Sequence, residues 1–218
     1  MGTRMAAARE RMRRSSAPER AALALALLAG AGPATALEVR TNEVTYANGT
    51  FRVVFEGVLA AAPAGIESVL LDYRNYATID PRIREADLVA RESDSALRVR
   101  TKIEACAGFF CRTVERVERF QHSPGLLVAT VIPELSDMRH GLARTTWTVA
   151  PDGTHVHYEA EFQPDFWVPS FVGHGLAIRA LRDSTLALFR TVEREASALL
   201  ADRGRTRPGR PFRAGAAA

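Results

Sequence analysis

The chain has 218 residues, 29 Lys+Arg against 25 Asp+Glu, and 47% hydrophobic side chains. Its formal charge of +4 is a property of the two ends: six arginines and two acids precede Leu37, which leaves 23 bases and 23 acids, and five of those arginines (Arg203, Arg205, Arg207, Arg210, Arg213) follow Leu200. The stretch between is mildly acidic, which argues against a nucleic-acid surface because such binding needs clustered positive charge, and its roughly 165 residues suffice for one domain with a substantial core.

The chain opens on Arg4, Arg9, Arg11, Arg13, Arg14 and Arg20, followed by an Ala/Leu run from Ala21 to Ala31 broken only by Gly30. Gly32 and Pro33 end that run, and Ala34-Thr35-Ala36 is a small-x-small site. A positive region, a short apolar region and such a site, in that order, predict a secretory signal peptide over residues 1–36, cut before Leu37, and a periplasmic mature protein. The apolar run is about 11 residues, short of the roughly 20 that a permanent membrane helix needs. Arg13-Arg14 lacks the apolar residues expected after a twin-arginine pair.

From Glu38 the alternation reads as strand: Val39 to Tyr46, the hairpin signal Asn48-Gly49, then Phe51 to Leu59. Pro63, Ile66, Val69 and Leu70 start a short helix, and DYRNYATIDP is a second helical turn stopped by Pro81. Six strand-like runs follow: Glu85 to Glu92, Leu97 to Ala105, Arg112 to Phe120, Leu126 to Pro133, Leu142 to Ala150 and His155 to Phe162. The breakers between them, among them Asp137 to Gly141, are short, so neighbours are expected to pair antiparallel as a meander. Leu97, Val99, Thr101, Ile103 and Ala105 oppose Arg98, Arg100, Lys102 and Glu104, which predicts one apolar and one wet sheet face. Ile178, Leu181, Leu188, Val192, Ala196 and Leu199 fall at helical spacing and predict one long helix closing the apolar face.

Cys106 and Cys111 are the only cysteines, and an even count in an oxidising compartment predicts a disulfide. The loop CAGFFC is small, so the bond's expected effect is to hold the hairpin tip carrying Phe109 and Phe110. No second Cys or His pair stands at ligand spacing, so no metal is expected there. Residues 202–218, rich in Arg, Gly and Pro, are expected to be a disordered tail, solvated or touching anionic headgroups.

This order of elements resembles the helix-grip fold of the START-like superfamily, and within it the coenzyme Q-binding and polyketide cyclase/dehydrase branch. The residues carrying the resemblance are AAPAGIESVLLDYRNYATIDPRIREADLV, the meander, and the closing helix ending FRTVEREASALL, over residues 37–201. The fold class it implies is α+β: a curved antiparallel sheet wrapped around a long C-terminal helix, with two short helices after the second strand. It also implies a cavity between sheet and helix for a lipid, an isoprenoid quinone or a polyketide. Tyr73, Tyr76, Trp147, Tyr158, Phe162, Phe166, Trp167, Phe171 and Phe189 offer rings to that side, as cavity lining or as ordinary core.

PDFWVPSFVGHGL, with Pro164, Pro169, Gly173 and Gly175 among its rings, reads as a gate at the cavity mouth, as a membrane-dipping element through Phe166, Trp167 and Phe171, or as a packed hydrophobic turn. His174 within it can meet a polar headgroup or quinone carbonyl. His155 and His157 share a strand face, a spacing that permits zinc if a third ligand is near, but on the wet side. No G-x-S-x-G elbow, H-E-x-x-H or phosphate loop is present. Arg100, Arg144, Asp72 and Glu134 are the acid-base candidates for a cyclase. The expectation is therefore an exported carrier for a hydrophobic small molecule or lipid, with no catalytic residue, metal or cofactor and at most transient membrane-surface contact. The alternatives are a cyclase/dehydratase or an envelope interaction protein. A buried charged pair in the cavity would favour the cyclase, and a uniformly apolar cavity the carrier.

Overall fold

In the computed structural model the structure describes residues 37–107, 110–166 and 173–205. Strands β1 (Glu38–Ala47) and β2 (Thr50–Leu59) form a hairpin whose turn residues Asn48 and Gly49 have φ of 52° and 82°, the left-handed values an Asn-Gly turn accommodates. Helix α1 (Pro63–Leu71), a single 3₁₀ turn (Tyr73–Asn75) and the short α2 (Tyr76–Ile79) follow. The meander then runs β3 (Ile83–Ser93), β4 (Ala96–Ala107), β5 (Phe110–Ser123), β6 (Leu126–Val131), β7 (Met138–Ala150) and β8 (Gly153–Pro164). Helix α3 (Gly173–Arg205) ends the described chain.

All neighbours are antiparallel, and the sheet order is β1-β2-β8-β7-β6-β5-β4-β3. The opening hairpin therefore returns to pair with the last strand, Phe55 opposite Tyr158 and Phe51 opposite Phe162. The result is the expected α+β fold, a curved antiparallel sheet with a long C-terminal helix. Strand β7 begins at Met138, inside the stretch expected to be a breaker. Met138 is buried against Val114 and Val131, and the turn residues around it are absorbed by a bulge between Met138 and His140. Helix α3 continues to Arg205, into the stretch expected to be tail.

The apolar face meets α3 through Thr185, Phe189, Val192 and Ala196, all buried at helical spacing. Phe189 stacks on Phe55 at 4.3 Å between ring centroids and meets Tyr158 edge-on at 5.7 Å. Helix α1 lies close to α3: a Cβ on Gly65 would sit 2.8 Å from the Ala196 carbonyl oxygen. The wet face is laced with exposed pairs such as Arg98 and Arg119 on Glu92, and Lys102 on Glu85, which individually add little to stability.

Candidate functional site

The N-terminal half of α3 borders a space beneath the sheet with Ala177, Ala180, Leu181, Ser184, Thr185 and Leu188, of which Ala177 and Leu181 also pack on the cluster around Phe51, Val53 and Ala160. That space is a cavity of about 370 Å³, at the lower end of the range for small-molecule sites. Its walls are mostly apolar: Phe51 and Val53 from β2, Val114 and Phe120 from β5, Leu127 and Ala129 from β6, Ala143 from β7, and Ala160 and Phe162 from β8.

Charged side chains interrupt those walls: Arg112, Glu161 and two paired groups. On β5, Arg116 and Glu118 share the face of Val114 and Phe120, because alternate strand residues point the same way. Arg116 Nε lies 2.9 Å from Glu118 Oε2, without the alignment of a hydrogen bond. The Glu118 side chain is only 6% exposed. Burial pushes its carboxyl above the ordinary range, and Arg116 opposes the shift. Near this pair Tyr76 donates its hydroxyl to the Leu70 carbonyl at 2.7 Å, and burial together with the Glu118 charge pushes its phenol up strongly. Burial likewise raises Tyr158.

The second group joins the α2 end to α3. Arg82 donates from its backbone N and from Nε to Asp80 Oδ1, at 3.0 and 2.9 Å, and from a terminal nitrogen to Ser184 Oγ. Burial by itself would raise Asp80, but the hydrogen bonds and charge of Arg82 win and hold its carboxyl below the ordinary value. Asp80, Arg82, Arg116, Glu118, Thr145 and Tyr158 therefore present polar chemistry to one apolar chamber.

Of the rings proposed from sequence, Tyr76, Tyr158, Phe162 and Phe166 line the cavity. Phe166 also carries the Arg112 guanidinium 4.5 Å above its ring. Tyr73, Trp147 and Phe189 are buried in the packed core. His174 is exposed and stacks on Tyr46 at 4.0 Å between centroids, away from the lining. Trp167 and Phe171 lie outside the described residues.

The four acid-base candidates face water: Arg100 pairs with Asp87 at 3.5 Å on the wet side, and Asp72, Glu134 and Arg144 are exposed. His157 sits between Glu56 at 3.1 Å and Glu159 at 3.4 Å, whereas His155 turns to Asp152 at 2.7 Å. The two histidines take separate partners and share no third ligand among the described residues. Cys106 and Cys111 face each other across the β4–β5 hairpin and are joined by a disulfide, with Glu104 close by. The disulfide ties up both sulfurs of that trio.

The missed residues left a signal. Arg116 and Glu118 carry charge at the parity of Val114 and Phe120, an exception to the alternation that fits β4 and β8. Asp80 and Arg82 flank the helix-stopping Pro81 and had no pattern to reveal them.

Solved structures with this fold include TTHA0849 from Thermus thermophilus, 16% identical with a TM-score of 0.57, covering 68% of this chain and 98% of that one. The ZhuI aromatase/cyclase from Streptomyces sp. R1128 is 16% identical with a TM-score of 0.55, covering 71% and 98%. A STAR-related lipid transfer protein fragment from Xanthomonas axonopodis is 16% identical with a TM-score of 0.51, covering 70% and 98%. At such identities the likeness is one of fold. No curated protein matches the chain in sequence. The sequence model of polyketide cyclase / dehydrase and lipid transport proteins matches residues 50–195, so the chain belongs to that family.

Proposed function

We propose that the protein is an exported carrier that holds one hydrophobic small molecule with a polar end. The observation that carries this reading is the cavity of about 370 Å³, apolar on its walls and polar at Arg116–Glu118 and Asp80–Arg82. Burying about 250 Å² of apolar ligand surface there would contribute roughly 6 kcal/mol before the costs of association. The charged groups would orient the polar end. The volume suits a single ring system or one short chain, or a headgroup whose tail leaves the cavity. The disulfide supports an oxidising compartment. No helix among the described residues is long and apolar enough to cross a membrane.

Native mass spectrometry with lipid extraction, on protein purified from the periplasm of a bacterial host, tests this. About one co-purified molecule per chain is the expected outcome. An empty protein that also ignores a panel of lipids and quinones would sink the carrier reading.

The buried Arg116–Glu118 pair favours a second reading, a cyclase or dehydratase in which Glu118 exchanges a proton with the substrate. A carboxyl held up by burial keeps its proton to higher pH, which suits a general acid. Glu118→Gln separates the two readings. A carrier shows no turnover in either form, whereas an enzyme turns over aromatic polyketide-like substrates and loses that turnover by about 100-fold or more in the variant.

A further inference from the structure

Leu37 is where two independent observations meet. In the sequence it follows Ala34-Thr35-Ala36, the expected export cut. In the fold its side chain packs against the main core, so close to β2 that a Cβ on Gly57 would come 3.1 Å from its Cδ1. Its backbone nitrogen donates to Glu193 Oε2 at 3.0 Å. The other oxygen of Glu193 accepts from the Ala60 backbone N–H at 2.8 Å. One carboxylate on α3 is thus fixed by two main-chain donors, one of them the atom that export processing would turn into a terminus.

We propose that Glu193 is the receiving site for the new N-terminus, so that cleavage supplies an ammonium–carboxylate pair between Leu37 and α3. This rests on the export reading and is independent of what the cavity holds. An export peptidase adds one water across the Ala36–Leu37 amide. The C–N bond breaks, Ala36 departs as a carboxylate, and Leu37 keeps the nitrogen as an ammonium. The donor becomes a cation without moving, and charge-assisted hydrogen bonds are about twice as strong as neutral ones.

Other charged groups on the surrounding elements have partners or sit elsewhere. On β1, Arg40 pairs with Glu38 at 3.6 Å; on β2, Glu56 takes Thr41 and His157; on α3, Arg194 pairs with Glu195 at 3.2 Å, and Arg190 is exposed. Glu67 on α1 is half-buried. Glu193 is the carboxylate in contact with the nitrogen. An ammonium so paired titrates above the roughly 7.7–8.0 of a free α-amine. Its stabilisation is complete below that range and is lost as pH rises through the folded value.

The test uses the exported product of the full-length gene. Terminal sequencing is expected to find Leu37 first. Reductive methylation with ¹³C-formaldehyde then labels only the Leu37 amine and Lys102, the one lysine in the chain. The Leu37 signal is expected to titrate about one pH unit above the free-amine range, and to return to it in Glu193→Gln. Acetylating the α-amine at near-neutral pH, which removes its charge and adds the same acetyl group in both proteins, is expected to lower Tm by about 3 °C more in the wild type than in Glu193→Gln. Should that variant not fold, titration and acetylation of the wild type decide the question. A terminus elsewhere overturns the proposal together with the cleavage site. A Leu37 terminus that titrates as a free amine and tolerates acetylation overturns the pairing and leaves export standing.

Discussion

Asp80 shows how a single carboxylate can hold two elements together at the cavity. It accepts three hydrogen bonds from Arg82, which reaches on to Ser184 of α3, so its charge anchors the helix that roofs the chamber. Because its folded pKa is depressed, its contribution is present above the ordinary aspartate value of 3.8 and is lost as pH falls through the folded value. Asp80→Asn is expected to cost about 1.5–3 kcal/mol at pH 7, as hydrogen bonds to charged groups do. The gap to the wild type should narrow as pH falls below the ordinary aspartate value of 3.8 in urea titrations. A gap that stayed constant with pH would show that the cost is packing and not charge. Glu118 runs the other way: with its pKa raised, it binds its proton more tightly folded than unfolded. Its contribution is greatest below its ordinary value of 4.5 and declines as pH rises through the folded value.

At the scale of elements, the placement of α3 follows from which of its residues are large. Phe189 and Val192 fill the space to the main core, Ala177, Ile178 and Leu181 pack on the cluster around Phe51 and Val53, and the small Ala180 and Ser184 between them border the cavity. The approach of α1 to α3 depends on Gly65, whose missing side chain admits the Ala196 carbonyl. On helix propensity alone Gly65→Ala would gain about 1 kcal/mol. The 2.8 Å approach to a backbone oxygen reverses the sign, and a net loss of about 1–2 kcal/mol in chemical denaturation is expected. A stabilised variant would show that the two helices can part freely. The strands were legible because alternation, Asn48-Gly49 and the short breakers all report local geometry. The start of β7 was not, because Met138 is drawn into strand by burial against Val131 and against Val114, a residue two strands back in the chain.

For the whole molecule, the proposed function turns on a volume that no single element contains. Ala143 of β7 lies between Ala129 and Ala160 on the cavity wall. Ala143→Phe is expected to fill the chamber and abolish ligand co-purification, while changing stability by no more than about 1–3 kcal/mol. Undiminished ligand in that variant, by native mass spectrometry, would place the binding site elsewhere. The succession of strands along the chain and the pairing of neighbours, the wet and apolar faces, the closing helix and the cysteine pairing could all be read from residue order, since each depends on periodicity or short separation along the chain. The pairing of β2 with β8, far apart in sequence, could not, and neither could the polar floor of the cavity. Arg116 and Glu118 on one strand and Asp80 and Arg82 before another become neighbours only when the sheet curves beneath α3. Which rings line the chamber and which pack as core was likewise decided only by tertiary packing, since both kinds fall at the same apolar positions in the sequence pattern.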